Sequence, residues 1–459
     1  MSSSPKPTNS PVIAGIATAI GGGIAIIRLS GDGSIRIAKA LFKPKGKCSF
    51  KSHRMYYGHI IHGERVLDEC MLTIMKAPRS YTTEDVVEIS VHGGAKSAEL
   101  VLNAVLDAGA VLAEPGEFTK RAFLNGRIDL VSAQAVIDII NSKTELSHNQ
   151  ALGRLSGRLS GAITGLRGEL LDLLASIEAS IDYPEYDTEE DDPRNCKKTL
   201  ARVRAQVLKL IESGKVGIII SEGLKTVILG RPNVGKSSLL NRILGMDRAI
   251  VTDIAGTTRD ILTETVNVRG IALNIADTAG IRDCDDLVES IGVAKSFEYA
   301  RDADLVLYVL DGSLELDSDD MENLDKLRGK NIIFVVNKSD LPQKLDKTRL
   351  ELSGAPLVAV SAHENLGFAD LYDTIYSMFI NDKISIENAA LVGNTRDMES
   401  LKKAVYHVEG ALGSLESGFG EDMAAIDIRD AYVCLGQILG ESLEDDVVDR
   451  IFSKFCLGK

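Results

Sequence analysis

Eight consecutive residues constrain this chain more than any other stretch: Gly230-Arg231-Pro232-Asn233-Val234-Gly235-Lys236-Ser237, a phosphate-binding loop of the G-x-x-x-x-G-K-[ST] type. The loop needs a strand before it and a helix after it. Lys225 to Leu229 reads as a buried parallel strand leading in, and Ser237 to Leu244 as an amphipathic helix leading out. The glycines let backbone N–H groups turn toward phosphate oxygens, and the helix N-terminus adds the positive end of its dipole. Lys236 is placed to reach the β- and γ-phosphates and Ser237 to ligate Mg²⁺, with Ser238 next to it among the GTP-binding residues.

Four further segments follow in the order expected of a GTPase. Thr252-Asp253-Ile254-Ala255-Gly256-Thr257-Thr258-Arg259-Asp260 supplies Thr258 for the Mg²⁺ shell. Asp277-Thr278-Ala279-Gly280 ends a strand; Asp277 would hold Mg²⁺ through water and the Gly280 amide would sense the γ-phosphate. Asn337-Lys338-Ser339-Asp340 selects the base, because the Asp340 carboxylate accepts from both N1–H and the exocyclic amine of guanine. Adenine has no such donor pair, and a mismatch would leave the acceptor unsatisfied. Ser361-Ala362-His363 follows the last apolar strand and fits the loop that backs the base. Together these predict GTP binding and hydrolysis.

The catalytic residues are harder to read. Many small GTPases carry Gln after Asp-x-x-Gly to orient the attacking water, but here that position is Ile281. Glu289, in the acidic segment Asp283 to Glu289, is the candidate replacement; alone, it reads more readily as a solvated surface carboxylate. Arg259 adjoins Asp260 and reads as structural. The Asn233 side-chain carbonyl, with loop carbonyls after Thr252, suggests a monovalent cation beside the phosphates, doing the electrostatic work of an arginine finger.

The flanks divide the 459 residues into several regions. Residues 1–120 look α+β, 121–218 helical, 219–382 an inserted G domain and 383–459 helical again. The fold class expected is multidomain α/β: an N-terminal α+β domain, a helical domain, and an inserted Ras-like parallel-sheet P-loop G domain. The insertion suggests that nucleotide state is coupled to helix packing on both sides. The apolar run Val12 to Ile27 superficially resembles a signal peptide, but Gly15, Gly21, Gly22 and Gly23 interrupt it, so it reads as strand–turn–strand. Leu152, Leu155, Leu159, Ile163, Leu166 and Leu170 read as one helix face, with Gly153, Gly157, Gly161 and Gly165 on a stripe where a second helix would pack closely. Glu185 to Asp192 reads as a solvated turn. No span is long and apolar enough for a membrane. The six cysteines form no C-x-x-C pair, which fits a reducing compartment and a cytoplasmic protein. A net charge of −14 is poor for gripping a nucleic-acid backbone unaided.

Arg28-Leu29-Ser30-Gly31, Ser80-Tyr81-Thr82 with Glu84-Asp85, Pro115-Gly116-Glu117-Phe118-Thr119 with Arg121-Ala122-Phe123-Leu124-Asn125, and the terminal Phe455-Cys456-Leu457-Gly458-Lys459 resemble the MnmE (TrmE) family of tRNA-modification GTPases. The resemblance covers nearly the whole chain. It implies an N-terminal domain that dimerises and binds 5-formyl-tetrahydrofolate or a relative, with Arg28, Glu88, Arg127 and Lys459 at the folate. The family often has Lys where Arg127 stands, and usually Pro-Pro where this chain has Ala19-Ile20. The resemblance also implies K⁺ held by Asn233, Thr252, Ile254 and Thr257, and water oriented by Glu289. It implies activation when two G domains meet, and joint action with MnmG, a FAD enzyme. Together they add an aminomethyl or carboxymethylaminomethyl group to carbon 5 of the wobble uridine in certain tRNAs. Cys456 is a possible nucleophile toward uracil carbon 6, or simply a neighbour of the folate. The competing reading is an RNA-binding ribosome-assembly GTPase switch, but no Gly-x-x-Gly loop flanked by basic residues follows Ile380.

Overall fold

The computed structural model describes residues 10–182, 193–246, 263–276, 298–346, 348–351, 354–380, 392–417, 420–456 and 458. These form two compact units: Met1–Ile137 with Gly436–Lys459, and Asp138–Leu435.

The first unit is built on a sheet of β1 (Ile13–Ile16), β2 (Ile24–Ser30), β3 (Phe42–Pro44), β4 (Arg54–His62), β5 (Arg65–Met75), β6 (Val86–His92) and β7 (Val111–Leu112). Its order is β3-β4-β5-β6-β2-β1-β7. The apolar run near the N-terminus is strand–turn–strand, with β1 antiparallel to β2 and Ile13 opposite Ser30. Ala25, Ile27 and Leu29 alternate into the core, where helices Ser34–Leu41 and Ala95–Asp107 bury Ile37, Leu41, Val101 and Val105. Helix Glu117–Leu124 starts at Gly116, whose φ of 71° and close approach to the Phe452 carbonyl, 2.5 Å from where a Cβ would sit, exclude a side chain. That approach brings the C-terminal segment into this unit.

The second unit holds the inserted G domain. Its sheet runs β13-β12-β11-β8-β10-β9, from β8 (Leu224–Leu229), β9 (Thr263–Val268), β10 (Ile271–Ala276), β11 (Leu305–Asp311), β12 (Ile332–Asn337) and β13 (Leu357–Ala359). Among the described strands of this sheet, only the β9–β10 pair is antiparallel. Every residue of β11 and β12 is buried, as strands covered on both faces must be. Around this domain lie helices Glu145–Leu155, Arg158–Asp182, Pro193–Glu222, Thr395–Glu416 and Glu421–Leu439. Pro193–Glu222 leads into β8 and packs along Thr395–Glu416, which follows the domain. The G domain thus interrupts a helical region.

The structure corrects the glycine stripe. Leu152 to Leu170 span two helices, separated at Gly157, whose φ is 84° and whose N–H caps the first helix on Arg154 O at 3.0 Å. Leu152 and Leu155 are exposed, whereas Leu159, Ile163, Leu166 and Leu170 are buried, each contributing roughly 1.5–3 kcal/mol. A Cβ on Gly161 or Gly165 would meet open space, so none of the described helices packs closely there. The close approach is made instead by Gly217, where a Cβ would lie 2.2 Å from the Val392 carbonyl.

Candidate active site

The carboxyl ends of β8, β11, β12 and β13 supply the nucleotide loops, as ligand sites of open parallel sheets require. The phosphate loop leaves β8 at Gly230 (φ 144°) and enters helix Lys236–Met246 after Gly235 (φ 95°). A Cβ at Gly230 would lie 2.3 Å from Val309 O, and one at Gly235 would lie 2.2 Å from Asn337 Nδ2. Both glycines are therefore required by sterics as well as by backbone conformation. Lys236 folds over the loop, its Nζ donating to the carbonyls of Gly230 (2.9 Å) and Arg231 (2.6 Å). Asn233 turns the loop tip at a φ of 63°, uncommon for a residue with a side chain. Val234 is buried beneath the loop, while Ser237 and Ser238 begin the helix.

The guanine motif also builds this loop. Asn337 is 2% exposed; its Nδ2 donates to Val234 O (2.9 Å) and its Oδ1 accepts from Ala362 N–H (3.1 Å). Lys338 Nζ donates to Asn233 O (3.2 Å) and to Asp311 Oδ2 (2.6 Å). Burial pushes the Asp311 carboxyl up, but bonds from Lys338 and Ser313 outweigh it and hold the group below the usual range. Ser339 N–H donates to Val360 O (3.0 Å). Asp340 is held by the Ser361 hydroxyl at 2.6 Å, which lowers its pKa and keeps it an acceptor. Arg242 donates to the carbonyls of Ala362 (3.3 Å) and His363 (3.2 Å). Three loops from distant parts of the chain are thereby fixed to one another.

Arg231 is engaged by the Asp317 carboxylate and by the buried Asp320, 3.1 Å from its Nε, which makes it a brace of the loop. Sequence reasoning missed Asp311, Arg242 and Asp320. Asp311 carried one signal, an acid at the carboxyl end of a buried strand; the other two carried none. Thr252, Asp253, Ile254, Ala255, Gly256, Thr257, Thr258, Asp277, Thr278, Ala279, Gly280 and Glu289 lie outside the described residues.

A second cluster forms in the first unit. Arg28 Nε donates to Glu88 Oε1 at 2.9 Å, and its Nη1 to Gly458 O at 3.4 Å. Its guanidinium lies over the Tyr81 ring at 5.6 Å, and that of Arg127 over the same ring at 5.0 Å. Arg127 also donates to Tyr81 O (3.0 Å), and Tyr81 OH bonds Thr119 Oγ1 (2.9 Å). Beneath, Ser30 bonds Thr82 (2.6 Å) and Glu84 (2.7 Å), and Arg121 binds Glu84 (3.2 Å) and Glu117 (2.9 Å). The motif segments around Ser30, Thr82, Glu84 and Arg121 therefore set the loop that presents Tyr81. Three predicted ligand-contacting residues, Arg28, Glu88 and Arg127, come together; Lys459 lies outside the described residues. Cys456, three residues before Lys459, is half-buried, its carbonyl accepting from Gly116 N–H at 3.3 Å. Tyr81 was missed as the shared aromatic surface.

The parallel sheet, the glycine-built phosphate loop and the Asp340 acceptor define a P-loop GTPase, an enzyme that hydrolyses GTP. Residues 130–456 match the family described as the MnmE helical domain, and residues 12–127 that described as the GTP-binding protein TrmE N-terminus. The chain belongs to the MnmE family of tRNA modification GTPases. It is 48% identical over 455 residues to the tRNA modification GTPase MnmE of Thermoanaerobacter pseudethanolicus, covering 97% of this chain and 99% of that protein. It is 46% identical over 456 residues to the protein of the same name from Bacillus subtilis, again covering 97% and 99%. Among solved structures, the G domain of the T. maritima FeoB iron transporter matches at 25% identity and a TM-score of 0.25, covering 34% of this chain and 97% of that one. Among the described residues no helix is long and apolar enough to cross a membrane.

Proposed function

We propose that this protein uses GTP turnover to drive modification of the wobble uridine of certain tRNAs, in the cytoplasm and together with MnmG. The observation that carries the reading is that one chain holds both an assembled guanine-nucleotide loop set and the Arg28–Tyr81–Arg127 cluster, and matches tRNA modification GTPases over 97% of its length. GTP is held by the phosphate loop, Asn337 to Asp340 and Ser361 to His363. Mg²⁺ is ligated by Ser237 and Thr258 and reached through water by Asp277. K⁺ sits at Asn233, Thr252, Ile254 and Thr257, and supplies positive charge beside the phosphates. At the exposed loop tip the Asn233 backbone carbonyl already accepts from Lys338, which leaves the Asn233 side chain for that ion. Glu289 orients the water.

Two copies dimerise through the N-terminal domain, and their G domains meet to hydrolyse GTP. A 5-formyl-tetrahydrofolate or related folate is bound by Arg28, Glu88, Arg127 and Lys459. The stacked guanidinium and phenol groups fit it, since a folate offers flat rings and carboxylates. The acidic chain leaves tRNA contact to its partner. Mass analysis of wobble uridine in tRNA from cells lacking this protein tests the reading: loss of the carbon-5 group is expected, and unaltered uridine modification overturns it. Faster hydrolysis in K⁺ than in Na⁺ is expected, and equal rates remove the cation.

A further inference from the structure

Gln343 follows the guanine motif by three residues, and none of the roles above uses it. Although Gln343 is exposed, its side-chain amide is confined: Nε2 donates to Lys338 O (3.0 Å) and to Leu341 O (2.9 Å). These are the first and last residues of the turn Lys338-Ser339-Asp340-Leu341, which Leu341 N–H closes on Lys338 O at 3.0 Å. An amide nitrogen carries two hydrogens, one for each carbonyl. A single side chain thus spans both ends of the turn that carries Asp340. Pro342 comes next and has no N–H of its own to tie the chain back.

The turn needs holding. Lys338 sits at a φ of 59°, where residues with a side chain are uncommon. The holder is itself seated by the end of β11. Gly312 N–H donates to Asn337 O (2.9 Å), and Gly312 O accepts from Lys344 N–H (2.8 Å), so the same glycine binds the chain ahead of the turn and the chain beyond it. A Cβ on Gly312 would lie 2.2 Å from Gln343 Oε1. The Gly312 backbone is not left-handed, so its missing side chain serves that space and not a backbone conformation. Strand end, motif and following segment close around the Gln343 amide.

We propose that Gln343 is a positioning residue for guanine specificity: its amide clamps the Lys338–Leu341 turn so that the Asp340 carboxylate meets N1–H and the exocyclic amine of guanine together. Two hydrogen bonds from one rigid edge demand a fixed acceptor, and a turn free to rock keeps one at the expense of the other. The inference rests on the reading of Asp340 as the guanine acceptor.

The test uses the full chain and equilibrium binding of GDP and of inosine diphosphate, whose base keeps N1–H but lacks the amine. Gln343→Ala should weaken GDP about tenfold and inosine diphosphate about threefold, so that the preference for GDP narrows about threefold. Loosening of the whole domain would weaken both alike and leave the ratio unchanged. Gln343→Glu keeps the length but, ionised, has no N–H to donate, and should match Gln343→Ala. Gly312→Ala displaces the amide and should do the same; added to Gln343→Ala it should cost nothing further. An unchanged ratio in folded Gln343→Ala overturns the proposal, as does a Gln343→Glu protein with the native ratio or a double variant whose losses add. If Gln343→Ala does not fold, Gly312→Ala decides by the same ratio. Asp340→Ala separates the two layers. A preference for GDP retained there removes the guanine reading and the inference with it; a preference lost there but intact in Gln343→Ala removes Gln343 alone.

Discussion

The Asn337 amide nitrogen donates to the Val234 carbonyl across 2.9 Å, so a residue of the guanine motif also carries the phosphate loop. The same side chain accepts from Ala362 N–H, and a Cβ at Gly235 would lie 2.2 Å from its nitrogen. Base recognition and phosphate binding are therefore one mechanical unit.

Asn337→Ala strands two buried backbone groups, each costing about 1–3 kcal/mol. GTP affinity should fall by about tenfold or more, and thermal stability should drop with it. Gly235→Ala should act alike, through the clash. Isothermal titration with GDP, with melting curves, checks both; an Asn337→Ala protein of normal affinity would contradict the shared role.

Asp340 gives a pH prediction. The Ser361 hydroxyl lowers its pKa from an ordinary value of 3.8. For a lowered carboxylate, the contribution is complete above the unfolded value and is lost as pH falls through the folded one. In Ser361→Ala the folded value rises, so nucleotide affinity should start to fail at a higher pH on acidification. Near neutrality the change should be small. Fluorescent GDP binding followed from about pH 6 downward measures it, and superimposable profiles would refute it.

The Tyr81 ring, shared by Arg28 and Arg127, separates packing from polar contact. Tyr81→Ala removes the surface under both guanidinium groups and should weaken folate binding by about 0.5–2 kcal/mol. Tyr81→Phe loses only the bond to Thr119 and should bind nearly as well. Arg28→Ala should weaken folate while GTP hydrolysis by the free protein stays intact. Equal folate affinity across these variants would discard the site.

Two glycines should respond in opposite directions. Gly165→Ala, open on its outer side within helix Arg158–Asp182, should stabilise by roughly 0.5–1 kcal/mol. Gly217→Ala forces the Val392 carbonyl away and should destabilise. Denaturant midpoints of the two variants decide the signs.

Much of the G domain was legible because its strands are continuous apolar runs and its loops carry fixed chemistry. Leu305–Asp311 and Ile332–Asn337 could be read directly. The hairpin of β4 and β5 could not: in Arg54–His62 only Gly58 and Ile60 are buried, so no clean apolar alternation marks the strand. The helix break at Gly157 was hidden because leucines continue at helical spacing on both sides. The Arg28–Tyr81–Arg127 cluster exists only after β2, the Tyr81 loop and helix Glu117–Leu124 are brought together.

The chain leaves for the G domain after Gly217 and is back beside that same residue at Val392, with Arg154 touching both Ser221 and Gly393. Departure and return share one doorway. A domain hung this way is a cassette: it is removable in principle without unthreading the helices, and replaceable by another switch with closely spaced ends. What such a graft must respect is the tight seam at Gly217, where no side chain fits between the outgoing and the returning chain.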